Sequence, residues 1–163
     1  MSGPVTSRDR ALVFAVVLPT LLVAHNVADH VVQTDHQAGH KAAATVQGWR
    51  ALGGHVGSYS AVSATALAAV TAVTGVRPGW RGVAGGLVFS AVTHAVLDRR
   101  WPVTAILRAA RAPGFAAMTS PLHGPYLADQ ALHHGCLLIS ALLIAGGNRN
   151  RKPRGNAAQK EGL

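Results

Sequence analysis

The chain has 163 residues, 49% of them hydrophobic but only 5% aromatic, so its apolar content is mainly Ala, Val and Leu. It carries 15 Lys and Arg against 6 Asp and Glu, a formal net charge of +9. Positive mean hydropathy beside so basic a charge argues against an ordinary soluble enzyme and fits apolar spans joined by short Arg-bearing loops.

One domain is expected at this length. A nucleic-acid partner is not, because the arginines lie between and beyond apolar runs and not along one amphipathic face. The single cysteine, Cys136, excludes an intramolecular disulfide.

In chain order, residues 1–10 read as an N-terminal tail. Arg8 and Arg10 before an apolar run imitate a signal peptide, but the run continues through Val31 and Val32, so cleavage is not expected. A bilayer-crossing helix needs about 20 mostly apolar residues. Four segments approach that: Ala11 to Gln33, kinked at Pro19; His55 to Thr74; the shorter Gly82 to Asp98; and Leu127 to Ala145, stopped by Gly146 and Gly147. The expected fold is therefore all-α, a four-helix transmembrane bundle over residues 11–145.

The turn VRPGWR is tight, whereas Thr34 to Gly54 and Arg99 to Pro125 are longer connections on the opposite side. Within the latter, VTAILRAARA sets Ile106, Leu107 and Ala110 against Arg108 and Arg111. That pattern predicts a short interfacial helix between spans three and four. Residues 146–163 lack apolar periodicity and read as a disordered basic tail. Nine Lys and Arg fall on the side of both termini and six on the other, which predicts cytoplasmic termini.

The polar residues inside the spans carry the functional reading. His25, Asp29 and Gln33 follow one another at four-residue steps and share a helix face. His94 and Asp98 repeat the spacing, Asp129 and His133 reverse it, and His55 opens the second span with Tyr59 and Ser63 on its face. Antiparallel alternation then brings all seven ionisable residues to one membrane depth on one side. An isolated Asp well inside a span costs about 2.5–3.5 kcal/mol, so these carboxylates should be paired. The row Gly82, Gly86 and Ser90 lets the third helix approach its neighbours closely.

Two pairings are open. His25, Asp29, His55, His94, Asp98, Asp129 and His133 could hold a divalent metal, Zn, Mn or Fe. Alternatively, imidazolium–carboxylate hydrogen bonds could close the cluster without one. Gln33, Asp35, Lys41, Arg99 and Gln130 are candidates for orienting ligands or binding substrate. Arg99, Arg100, Arg108 and Arg111 could bind an anionic headgroup or simply snorkel at the interface. His134, about 100° around the helix from His133, is expected to face lipid headgroups or a neighbour, and His30, His36, His40 and His123 to be solvated.

The box HNVADHVVQTDHQAGHK, with HVGSY, THAVLDRR and YLADQALHHG, resembles in order and spacing a bacterial family of small integral membrane proteins of unknown function, closest to its actinobacterial branch. The resemblance covers about residues 20–145 and rests on an H-x3-D-x3-Q-T-D box and a later D-Q-x2-H. It implies a shared polar set of His25, Asp29, Gln33, Thr34, Asp35, Lys41, His55, His94, Asp98, Asp129, Gln130 and His133. Ala95 and Leu132 stand where members often carry an aromatic residue. The resemblance implies a bacterial inner-membrane location and no established activity.

Three functional readings follow. One is a metal-dependent membrane hydrolase acting on a lipid-linked or phosphate-bearing substrate. A second is a structural or partner-binding protein with membrane lipids around it and a hydrogen-bonded polar core. The third, an ion carrier, is disfavoured because the opposite halves of the spans offer no polar path.

Overall fold

The computed structural model describes residues 7–147, and among these the fold is all-helical with no strand. Four long helices pack together: α1 (Ser7–Val27), α3 (Val46–Thr74), α4 (Trp80–Leu97) and α7 (Gly124–Gly146). Three short ones, α2 (Asp35–His40), α5 (Trp101–Ala109) and α6 (Pro113–Ala117), occupy the connections on one side. The tail expected to be disordered lies, from residue 148 on, outside the described residues.

Three helical stretches are long and apolar enough to cross a membrane: Ser7–Val32, Val46–Thr74 and Gly124–Gly146. The first includes a five-residue π-helical turn, Ala28–Val32, closed where the Gln33 N–H donates to the Ala28 carbonyl at 2.9 Å. Pro19 is accommodated inside α1. Helix α4, the shortest of the four long helices, is not among these three. It nevertheless packs extensively, most of all against α7.

That α4–α7 contact depends on glycine. A Cβ added at Gly82 would stand 2.7 Å from the Ile144 carbonyl oxygen, and one at Gly86 2.9 Å from that of Ser140. The Ser140 hydroxyl uses the proximity to donate to the Gly86 carbonyl at 2.7 Å.

The second long helix starts well before the expected His55. Thr45 caps it by accepting from the Gly48 N–H at 3.1 Å, so His55 lies inside α3 and not at its mouth. The preceding connection is also ordered by a capping box, in which Thr34 accepts from the Gln37 N–H while the Gln37 side chain accepts from the Thr34 N–H. The amphipathic segment expected near residue 106 is α5. Its inward face is Pro102, Val103 and Leu107, while Ile106, expected on the apolar face, is exposed.

The bundle is divided along its length. One half is a dry core of Val13, Val17, Leu21, Leu67, Leu137, Ala141 and Ile144. The other half encloses buried polar groups. Outer faces carry exposed Leu12, Val23, Val88, Val92, Leu138 and Leu142, the surface of a bundle solvated by lipid.

Candidate metal centre

Each helix delivers its share to the polar half. His25 comes from the last turn of α1 and Asp29 from the π-helical turn after it; His55 is inside α3; His94 and Asp98 end α4; Asp129, Gln130 and His133 lie in the first half of α7. His25 and His55 are fully buried, and His94, Asp98 and His133 nearly so.

At the centre, the Nε2 atoms of His55 and His94 face each other 2.9 Å apart. Asp29 Oδ1 lies 3.4 Å from the first and 3.5 Å from the second. Asp98 Oδ2 lies 3.3 Å from both. Yet Asp29 Oδ1 and Asp98 Oδ2 are buried and accept no hydrogen bond, because no N–H is aligned with either. Each of these two oxygens thus lies within 3.5 Å of both ring nitrogens, from three helical elements. Metal–ligand bonds of 2.0–2.2 Å place tetrahedral donors roughly 3.3–3.6 Å apart, which the four His–Asp separations match and the His–His one undercuts.

The other oxygen of each carboxylate points elsewhere. Asp98 Oδ1 pairs with the Lys41 ammonium at 2.6 Å, while Asp29 Oδ2 lies 3.7 Å from His25 Nε2. His25 Nε2 is also 3.3 Å from Gln130 Oε1. The donor atoms of His25, Asp29 and His94 lie within 4.8 Å of one another, as do those of His55, His94 and Asp98.

Asp129 and His133 stand beside this set without joining it. His133 Nδ1–H donates to the Asp129 carbonyl at 2.9 Å, and its ring stacks on His25 with centroids 5.0 Å apart. The Asp129 carboxylate receives the Gln130 amide at 3.4 Å and remains 24% exposed. His134, expected to face lipid headgroups or a neighbour, meets a neighbour: it lies edge-on to the His25 ring at 5.5 Å and is half-buried.

A cavity of about 680 Å³ opens onto the cluster. Its lining includes Asp29, Gln33, Lys41, Asp98, Asp129 and Gln130 from the sequence-derived set, joined by His30, Arg100, His123 and Tyr126. Asp35 is exposed on α2 and does not line it. Arg99 is committed elsewhere: its guanidinium donates to the Lys41 and Ala43 carbonyls at 3.1 Å and lies over the Trp49 ring, which fixes the loop that carries Lys41.

Arg100 supplies the exposed cation at the cavity, with positive φ (64°) and one bond to the Ala38 carbonyl at 3.3 Å. His123 Nδ1 accepts from the Tyr126 N–H, which leaves its proton on Nε2. His30 donates from Nδ1 to the Asn26 carbonyl and accepts the Tyr126 hydroxyl at 2.6 Å, so it is not a merely solvated side chain. Sequence spacing could not show these roles, because they arise where the π-helical turn meets the start of α7.

No curated protein and no solved structure matches the chain. A family model does: residues 17–152, which include every residue of the cluster, fit the family described as "Protein of unknown function (DUF3307)", and the chain belongs to that family.

Proposed function

We propose that this protein is a metal-dependent hydrolase of the bacterial inner membrane that acts on a lipid-linked or phosphate-bearing substrate. The observation that carries the reading is that Asp29 Oδ1 and Asp98 Oδ2 each lie 3.3–3.5 Å from the Nε2 atoms of both His55 and His94, with both oxygens buried and without hydrogen bonds. Buried acceptors left unpaired cost on the order of 1–3 kcal/mol each, more when charged, and a divalent ion removes that cost. Neutral imidazole with carboxylate suits Zn, Mn or Fe.

Such an ion would supply Lewis acidity, and an activated water at neutral pH where a coordination position stays open. The protein's own groups do the rest. Lys41 neutralises Asp98 from the side away from the histidines and fixes its rotamer. Asp129, partly exposed at the cavity and outside the donor set, is placed to accept a proton as general base. Arg100 and the His123 Nε2–H line the same cavity and suit a phosphate or other anionic group. Arg99, being committed to the Lys41 loop, is not assigned to substrate.

In this reading α4 is a fourth span. Its 18 residues reach about 27 Å, near the hydrocarbon thickness of about 30 Å, and its outer face is Val88, Val92 and Val96. Helix α5 then lies in the interface over the site. Both termini are cytoplasmic by the Lys and Arg asymmetry, which puts the cavity on the outer side. Placement in the actinobacterial branch rests on the two polar boxes.

The alternative is a structural or partner-binding membrane protein whose cluster is a hydrogen-bonded polar core, favoured by the Lys41–Asp98 ion pair and the His55–His94 contact. An ion carrier is less well supported, because the dry half of the bundle continues no polar path. Elemental analysis of the detergent-purified protein separates them. Stoichiometric metal that is lost in His94→Ala and Asp98→Ala, with chelator-sensitive hydrolysis of a lipid phosphate monoester in mixed micelles, is the expected outcome. Well-folded wild type free of metal would leave the polar-core reading.

A further inference from the structure

The cluster has more donors than one ion can use. The four central atoms form a closed set, the pattern of a site with no position open to substrate. Beyond it, Asp29 is turned so that its two oxygens serve different neighbours: Oδ1 faces His55 and His94, and Oδ2 faces His25. His25 Nε2 also meets Gln130 Oε1 at 3.3 Å, so oxygens from two different elements lie within 3.7 Å of this one nitrogen. His25 is fully buried, and its Nδ1 has no hydrogen-bond partner that would explain its presence as a packing residue.

We propose a two-metal centre in which Asp29 bridges a closed ion held by His55, His94 and Asp98 and an open ion held by His25 Nε2, Asp29 Oδ2 and Gln130 Oε1. This deepens the metal-dependent reading above and rests on it.

Three features place the chemistry at the second ion. Two of the second ion's three ligands, Asp29 and Gln130, line the cavity, against Asp98 alone of the three residues that hold only the first, so the second ion lies nearer the space where a substrate fits. Asp129 adjoins Gln130 through the 3.4 Å amide bond and can accept a proton from a water bound there. Charge is compatible with two ions: Asp29, Asp98 and Asp129 against Lys41 and Arg100 leave one negative charge, so one divalent ion makes the site weakly cationic and a second strongly so, which favours an anionic substrate. Ions bridged by a carboxylate lie about 3.5–4 Å apart, so the closed ion would hold Asp29 in place and add positive charge beside the open one, where water and a phosphate oxygen would both bind.

The test uses full-length protein in detergent, stripped of metal and reloaded with Mn²⁺ alone. Wild type should bind two ions per chain and give the electron paramagnetic resonance spectrum of an exchange-coupled pair. His25→Gln and Gln130→Leu should each retain one ion with an isolated Mn²⁺ spectrum, and His55→Gln should lose the closed ion. One ion in wild type, isolated in its spectrum and unaffected by His25→Gln, would overturn the second site and leave the single-metal reading intact. No bound ion in folded wild type would overturn both. The wild-type spectrum decides the matter even if a variant fails to fold.

Discussion

The phenol of Tyr59 lies flat on the imidazole of His94, with ring centroids 3.9 Å apart and planes within 12°, while its hydroxyl is fixed to Ser90 Oγ at 2.5 Å. His94 Nδ1 has no hydrogen-bond partner, so this stack joins the Nε2 contact with His55 in setting the ring's angle. Tyr59→Phe keeps the stack and loses the Ser90 bond. It should cost roughly 1 kcal/mol of stability and leave metal stoichiometry unchanged. Tyr59→Leu frees the ring and should weaken metal binding about 10–100-fold, the range expected when an orienting group is removed. Competition with a chromogenic chelator measures both; equal affinity in the two variants would show that the stack orients nothing.

Lys41 is the cation in contact with the Asp98 carboxylate, and both are almost fully buried. Lys41→Met leaves that carboxylate without its ion pair and should destabilise the metal-free protein by about 3–5 kcal/mol. A bound divalent ion supplies the missing charge. Thermal unfolding in detergent should therefore show a larger Zn²⁺-induced rise in Tm for Lys41→Met than for wild type. An equal rise would mean that the ion and the lysine do not share Asp98.

Gly86 and Gly85 are neighbours with opposite surroundings. A methyl group at Gly86 meets the Ser140 carbonyl oxygen and the Ile144 side chain, and one at Gly85 meets nothing within 4 Å. Gly86→Ala should push α4 from α7 and cost roughly 1–3 kcal/mol. Gly85→Ala should be neutral or mildly stabilising, since alanine is the better helix former. The Tm difference between the two variants reads this directly.

Asp129 borders the cavity but is not among the converging donors. Asp129→Asn should keep full metal content and lower hydrolysis by about 10²–10⁴-fold, the usual contribution of a positioned base. Metal lost together with activity would make Asp129 a ligand instead.

Much of this cluster was legible in the sequence because helical spacing is a strong constraint. His25 with Asp29, and His94 with Asp98, lie one turn apart, and antiparallel alternation carries both pairs to the same end of the bundle. What spacing could not show was anything built by loops. Lys41 reaches Asp98 only because the Thr34 capping box and the Arg99 clamp fold the connection back over the bundle. Spacing opens the second span at His55 because the glycines around it weaken a helical signal that begins at Val46. Angular separation on α7 leaves open which neighbour His134 meets, and the breadth of the His25 ring, which touches both His133 and His134, decides it.

The π-helical turn at Ala28–Val32 carries one residue more than an α-helical turn would, and each added residue rotates the following chain by about 100°. The wider loop is therefore a phase adjuster, bringing Gln33 to the cavity rim and launching the connection toward Lys41 while His25 and Asp29 keep their aim inward. Deleting any one residue from this stretch would restore a straight rod and point everything downstream at the wrong sector of the bundle. An equal deletion in the exposed linker between α5 and α6 would shift no member of the cluster out of phase.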